Sequence, residues 1–178
     1  MNNEHGIYSS IAAVEAARSR SFRIWGATFA LVSLWTISII AAPVARSGAM
    51  PSLTEPLFIF FGYICHQLPE RSLSVFGEPL GVCSRCFGIY LGLLLGIAVY
   101  PVWQRMETIE PLPRFWLFIS LIPVGVDWSL TAFGIWENTH FSRLVTGVIL
   151  GFACGTFILP ALIEVAGNLA RRPKAASL

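Results

Sequence analysis

The chain has 178 residues, 55% of them hydrophobic and 12% charged, with a formal net charge of +2 and a mean hydropathy of +0.68. Soluble domains carry roughly 25% charged residues, so this composition excludes an ordinary water-soluble globule. A charge this small leaves no basic footprint for nucleic acid, and the length suits a single integral membrane domain, 1–178.

In chain order, the polar segment 1–22 reads as a cytoplasmic tail, with Arg18, Arg20 and Arg23 close to the first apolar run, 24–44. That run is longer than the roughly 7–15 apolar residues of a cleavable leader and follows a long polar stretch, so it predicts a retained span. Segment 57–68, bounded by Glu55-Pro56 and Pro69-Glu70-Arg71, is short of the roughly 20 residues that cross about 30 Å of hydrocarbon. It predicts a re-entrant or interfacial helix, with a fifth, tilted span as the alternative. Runs 84–103, 115–134 and 143–165 predict the remaining spans. The fold class expected is therefore an all-α membrane protein, a four-helix transmembrane bundle with one short re-entrant or interfacial helix.

Basic residues of short loops collect on the cytoplasmic side. Four spans with the N-terminus inside place Arg18, Arg20, Arg23, Arg105, Arg114, Arg171, Arg172 and Lys174 there, against Arg46, Arg71, Arg85 and Arg143 outside. This distribution predicts both termini in the cytoplasm, a plasma (inner) membrane location, and an extracytoplasmic face holding the Cys/His segment and the loop from Glu137 to Arg143.

Two spans carry glycines at four-residue spacing: Gly88, Gly92 and Gly96 in one, Gly147, Gly151 and Gly155 in the other. Such stripes let backbones approach closely where lipid supplies no hydrophobic drive for helix association. Ser84-Arg85 precedes the first stripe and Ser142-Arg143 the second, so the two helices should run in the same direction. Cys83, Cys86 and Tyr90 share a different face of the first by their i, i+3, i+7 spacing.

The polar residues concentrate in Cys65-His66-Gln67, Arg71-Ser72 and Cys83-Ser84-Arg85-Cys86. Cys65 or His66 together with Cys83 and Cys86 would hold zinc and leave one coordination position open, as catalytic zinc sites do. The rival chemistry is thiol–disulfide exchange, because C-x-x-C at a helix N-terminus beside Arg85 has a lowered thiol pKa. A structural metal or disulfide pinning the re-entrant segment is the plainer alternative. A haem attachment signature is excluded by Phe87 after Cys86, and a deaminase pattern by Leu68 where a glutamate is needed. Cys154, midway along the last span, reads as a small apolar residue.

Asp127 falls inside the third span, where a carboxylate is a candidate functional group and wants a cationic partner, here Arg85 or Arg143. Its expected role is proton acceptor or ligand-orienting group, with Arg143 as its catalytic companion. Arg71, Arg85 and Arg143 on one face would clamp a phosphate or carboxylate, since guanidinium forks match those oxyanions. Tyr90 and Asn138 complete the expected substrate-binding set. An anionic lipid or lipid-linked molecule drawn from the bilayer is the ligand class this predicts.

Cys65-His66-Gln67, Arg71-Ser72 and Cys83-x-Arg85-Cys86-x-Gly88-x-Tyr90-x-Gly92, with the later Asp127, Asn138, Arg143 and Thr146-Gly147, resemble the signature of the bacterial and archaeal membrane proteins grouped as domain of unknown function 2085. The resemblance spans roughly 58–155. It departs at Ser129-Leu130-Thr131, where that family is expected to carry a Thr-Gln pair. The resemblance implies the fold and the site, and no activity. Three functions stay open at this point: an enzyme acting on a lipid-like or anionic membrane substrate, a quinone-linked thiol–disulfide oxidoreductase, and a non-catalytic subunit with a structural metal.

Overall fold

The computed structural model describes residues 2–48, 50–106 and 113–171. Arg172 and Lys174, counted above for orientation, lie outside them, as does the side chain of His5. Five α-helices follow in order, α1 (Asn2–Ser47), α2 (Pro51–Gly62), α3 (Ser84–Trp103), α4 (Phe115–Ala132) and α5 (His140–Arg171), with a two-stranded hairpin, β1 (Ser74–Val75) and β2 (Glu78–Pro79), between α2 and α3. Among the described residues four helices are long and apolar enough to cross a membrane, and α2 is a shorter apolar helix. At 1.5 Å per residue its 12 residues reach about 18 Å. The segment expected as a tail is not irregular: α1 is one continuous helix from Asn2, well ahead of the apolar run. Strong helix formers such as Ala12, Ala13, Glu15, Ala16 and Ala17 extend it without needing an apolar face.

The centre of the bundle is the pair α3 and α5. A Cβ added at Gly92 would sit 2.2 Å from the Val148 carbonyl oxygen, and one at Gly151 would sit 2.0 Å from that of Ile89. Gly88, Gly96, Gly147 and Gly155 meet the facing backbone in the same way. Contacts advance together along both helices, from Gly88 against Leu144 to Gly96 against Phe152, so α3 and α5 are parallel as their shared Ser-Arg starts predict. Only glycine permits this approach. Gly151→Ala should therefore destabilise the bundle by about 1–3 kcal/mol or more through overpacking. Gly125→Ala, where nothing lies within 4 Å, should be neutral. Thermal unfolding in detergent compares the two, and equal effects would sink the interlock.

The remaining helices pack around this pair, α1 on α3, α4 on α5, and α2 on α1. Pro101 has no N–H, which frees the Ile97 carbonyl inside α3. Trp25 Nε1 of α1 donates to that oxygen at 2.8 Å, so a polar group that lipid would leave unsatisfied is used to tie two spans together. Ring contacts of Trp35 with Phe60, Phe61 and Tyr90, at centroid distances of 5.5, 5.6 and 5.7 Å, lock α1, α2 and α3 near the start of α3. Arg46 lies 4.1 Å over the Phe58 ring and 3.7 Å from Glu78, holding α2 and the hairpin against the end of α1. The starts of α3 and α5 and the ends of α2 and α4 thus gather at one end of the bundle.

Candidate functional site

Two polar clusters occupy that end, on different faces of α3. The first depends on returning Cys65 to the other cysteines. Gln67 adopts φ 50°, a left-handed conformation that costs a non-glycine residue about 1–2 kcal/mol. Its side chain offsets this, because Nε2 donates to the Phe58 carbonyl at 2.8 Å and to the Gly81 carbonyl at 2.7 Å. One amide therefore clips α2 to the stretch just before Cys83. Cys83, in turn, donates its backbone N–H to Cys65 Sγ at 3.2 Å.

The sulfurs of Cys65, Cys83 and Cys86 all lie within 4.8 Å of one another, and all three are free thiols. Tetrahedral zinc with thiolates at about 2.3 Å spaces its sulfurs about 3.8 Å apart, so this group is compact enough to close on one ion. Its wall is apolar: Ile39, Phe61, Leu80 and Val82 are buried beneath it, and Trp35 and Tyr90 pack beside it. Cys83 is the N-cap of α3 and Cys86 stands in its first turn. Contacts from the Cys83 and then the Cys86 side chains, aided by the backbone N–H groups of Gln67 and Cys83, hold the Cys65 thiol well below the usual range against the opposing effect of burial. His66, expected as an alternative ligand, is exposed and stands outside the cluster. Neighbouring residues of a non-helical strand project to opposite sides, so a chain that buries Cys65 turns His66 out.

The second cluster lies on the α4–α5 side. Arg85 pairs with Asp127 through Nη2 and Oδ2, with side chains 21% and 9% exposed. Asn138 Nδ2 donates to the same Asp127 oxygen at 3.1 Å, while Arg143 Nε donates to Asn138 Oδ1 at 2.6 Å. The result is a chain of contacts, Arg85–Asp127–Asn138–Arg143, that joins α3, α4 and α5. Arg85 Nε is buried with no partner among the described residues. Arg143 stands at the start of α5, held there by Asn138. Arg71 is exposed at the rim. Tyr90 lines the thiol cluster rather than this one.

Ser84 and Gln67 are the residues that spacing did not single out as site builders. The Ser84 hydroxyl donates to the Arg71 carbonyl at 3.0 Å and lies 3.0 Å from His140 Nδ1. Because the hydroxyl proton is used on the carbonyl, the His140 Nδ1–H is the donor to its oxygen. Thr139 caps α5 by accepting the Ser142 N–H at 3.1 Å. If the three thiols hold a metal, Gln67→Ala should lower its retention by up to about thirtyfold while leaving the helices intact, since it removes two hydrogen bonds of about 1 kcal/mol each that position Cys65. Metal content after dialysis, compared with circular dichroism, checks this; undiminished metal would show that the clip is unnecessary.

The fold and site define a polytopic helical membrane protein with a three-thiol cluster beside an intramembrane ion-pair network. The family described as "Predicted membrane protein (DUF2085)" matches residues 65–157, over half of the chain, and the chain belongs to it. An uncharacterized protein of Methanocaldococcus jannaschii is 38% identical over 109 residues, 61% of this chain and 70% of its own. An uncharacterized protein of Methanothermobacter thermautotrophicus is 35% identical over 108 residues, 58% of this chain and 93% of its own. No solved structure matches.

Proposed function

We propose that this chain is a membrane enzyme that holds a zinc ion through Cys65, Cys83 and Cys86 and acts on an anionic or lipid-like substrate held by Arg71, Arg85 and Arg143. The observation that carries the reading is the convergence of three sulfurs within 4.8 Å at the start of α3, where Arg85, between Cys83 and Cys86, faces a buried carboxylate. Three protein ligands leave zinc one position for water or a substrate oxygen, and zinc so placed lowers the pKa of bound water or polarises a carbonyl or phosphoryl oxygen. The protein's own groups bind and orient. Arg85 and Asn138 both engage Oδ2 of Asp127, which favours the orienting role for Asp127 over that of proton acceptor. Through Asn138 it also fixes the guanidinium of Arg143. The orphaned Arg85 Nε supports an anion here, because a buried guanidinium donor gains most from a charged acceptor.

The site faces the extracytoplasmic side in this reading, and both termini lie in the cytoplasm of a cell whose plasma membrane holds the protein. The Arg distribution supports this, and labelling a thiol placed at Arg171 from outside intact cells would overturn it. The same free thiols also serve the runner-up, quinone-linked thiol exchange, because Arg85 stands between Cys83 and Cys86. Metal analysis of the purified protein decides between them. About one zinc per chain is expected; a metal-free protein with a disulfide between Cys65 and Cys83 or Cys86 would reverse the assignment. Zinc present in a protein that binds no anion would leave the metal structural.

A further inference from the structure

Below the arginine cluster, toward the other end of the bundle, α4 and α5 part around a cavity of about 480 Å³, within the roughly 300–1,000 Å³ of small-molecule sites. Trp116, Ser120 and Pro123 line it from α4, Ile149, Ala153 and Phe157 from α5. Its walls offer no free hydroxyl: Ser120 donates to the Leu117 carbonyl at 2.7 Å and Thr156 to that of Ala153 at 2.8 Å. The groove is therefore a place for hydrocarbon, and it lies where lipid would surround the helices.

Its position along the helices says what kind. Pro123 is four residues before Asp127, about 6 Å along α4, and Ile149 is six residues after Arg143, about 9 Å along α5. The groove thus begins a turn or two beneath the Arg85–Asp127–Asn138–Arg143 chain and continues in line with it. Arg71, Arg85 and Arg143 thus stand above an apolar slot, with Asp127 paired to Arg85 and Glu70 and Glu137 beside them in sequence. We infer that this end-to-end arrangement binds one amphiphile, with a phosphate or carboxylate head on the arginines and an alkyl or isoprenyl tail between α4 and α5. This rests on the arginine clamp proposed above and adds the tail, which makes the substrate a membrane-derived molecule rather than a soluble anion. A peptide or a second copy of the chain could fill an apolar groove, but neither needs the charge directly above it.

The test uses the purified full-length protein in a neutral detergent, with dodecyl phosphate and inorganic phosphate as probes. Dodecyl phosphate should bind at least about tenfold tighter than inorganic phosphate, the tail supplying the difference. Ala153→Phe, which fills the groove, should remove that advantage and leave inorganic phosphate unchanged, whereas Arg143→Gln should weaken both. Equal affinity of the two probes, or an Ala153→Phe protein that binds dodecyl phosphate as the wild type does, would overturn the tail site while the clamp stands. Failure of both probes to bind the wild type would defeat the clamp and the inference with it. A wild-type dimer that Ala153→Phe converts to monomers would assign the groove to a second copy instead. A further measurement does not depend on that variant folding: a dodecyl phosphate brominated at its tail end should quench the wild-type tryptophan fluorescence more than that of a Trp103→Phe, Trp116→Phe double variant, which lacks both tryptophans lining the groove. Quenching undiminished in the double variant also overturns the assignment.

Discussion

If the three thiols hold zinc as proposed, replacing Cys83 with serine should strip it from the purified protein, weakening its binding about a hundred- to a thousandfold. Sites of four protein ligands bind zinc with about 10–16 kcal/mol, so one thiolate accounts for about 3–4 kcal/mol, and every 1.4 kcal/mol is tenfold. Cys65→Ser and Cys86→Ser should behave alike, because the three sulfurs form one cluster within 4.8 Å. His66→Ala is the discriminating control. Its ring is exposed and outside the cluster, so metal content should be unchanged. Competition with a chromophoric chelator measures all four. A His66→Ala protein as depleted as Cys65→Ser would refute the three-thiol assignment and return the imidazole to the site.

The four long helices were legible from apolar run length alone, because hydrocarbon thickness imposes a length that few soluble segments meet. The parallel contact of α3 and α5 was legible too: glycine at four-residue spacing has few other uses in a span, and here each added Cβ would strike the partner's backbone. The i, i+3, i+7 spacing also placed Cys83, Cys86 and Tyr90 on one face, where all three pack around one apolar cluster. What was hidden lies in the stretch between α2 and α3. Its geometry rests on single side-chain contacts, and no periodicity reports those. Gln67 and Phe76 take positive φ, which sequence rules assign to Gly, Asn or Asp. Gly77, φ 82°, was the one signal for the Ser74–Val75/Glu78–Pro79 hairpin, whose turn suits two residues of positive φ. The hydrogen bond of Ser84 to His140 joins residues far apart in sequence, so only the packing of α3 on α5 brings it about.

Asp127 should prove the residue on which the second cluster depends, and Asp127→Ala should destabilise the protein by about 3–5 kcal/mol, the usual effect of leaving one partner of a buried ion pair alone. Arg85 would keep its charge at a largely buried position with Nε already unpartnered, and Asn138 would lose the acceptor that orients it toward Arg143. Asp127→Asn keeps the shape and removes the charge, so a smaller loss is expected. The double variant Asp127→Leu with Arg85→Met separates stability from function. An apolar pair of similar volume often equals or exceeds the ion pair it replaces, and lipid around α4, which is mostly exposed along its length, gives no reason for a different outcome. Its unfolding temperature in detergent should therefore recover to near the wild-type value, while on the proposed clamp binding of dodecyl phosphate stays at least about tenfold weaker, since one of its guanidiniums is gone. Asp127→Ala unfolding no earlier than wild type would show that the pair is not desolvated. Full binding by the recovered double variant would instead remove Arg85 from the clamp and leave Arg71 and Arg143 to hold the anion alone.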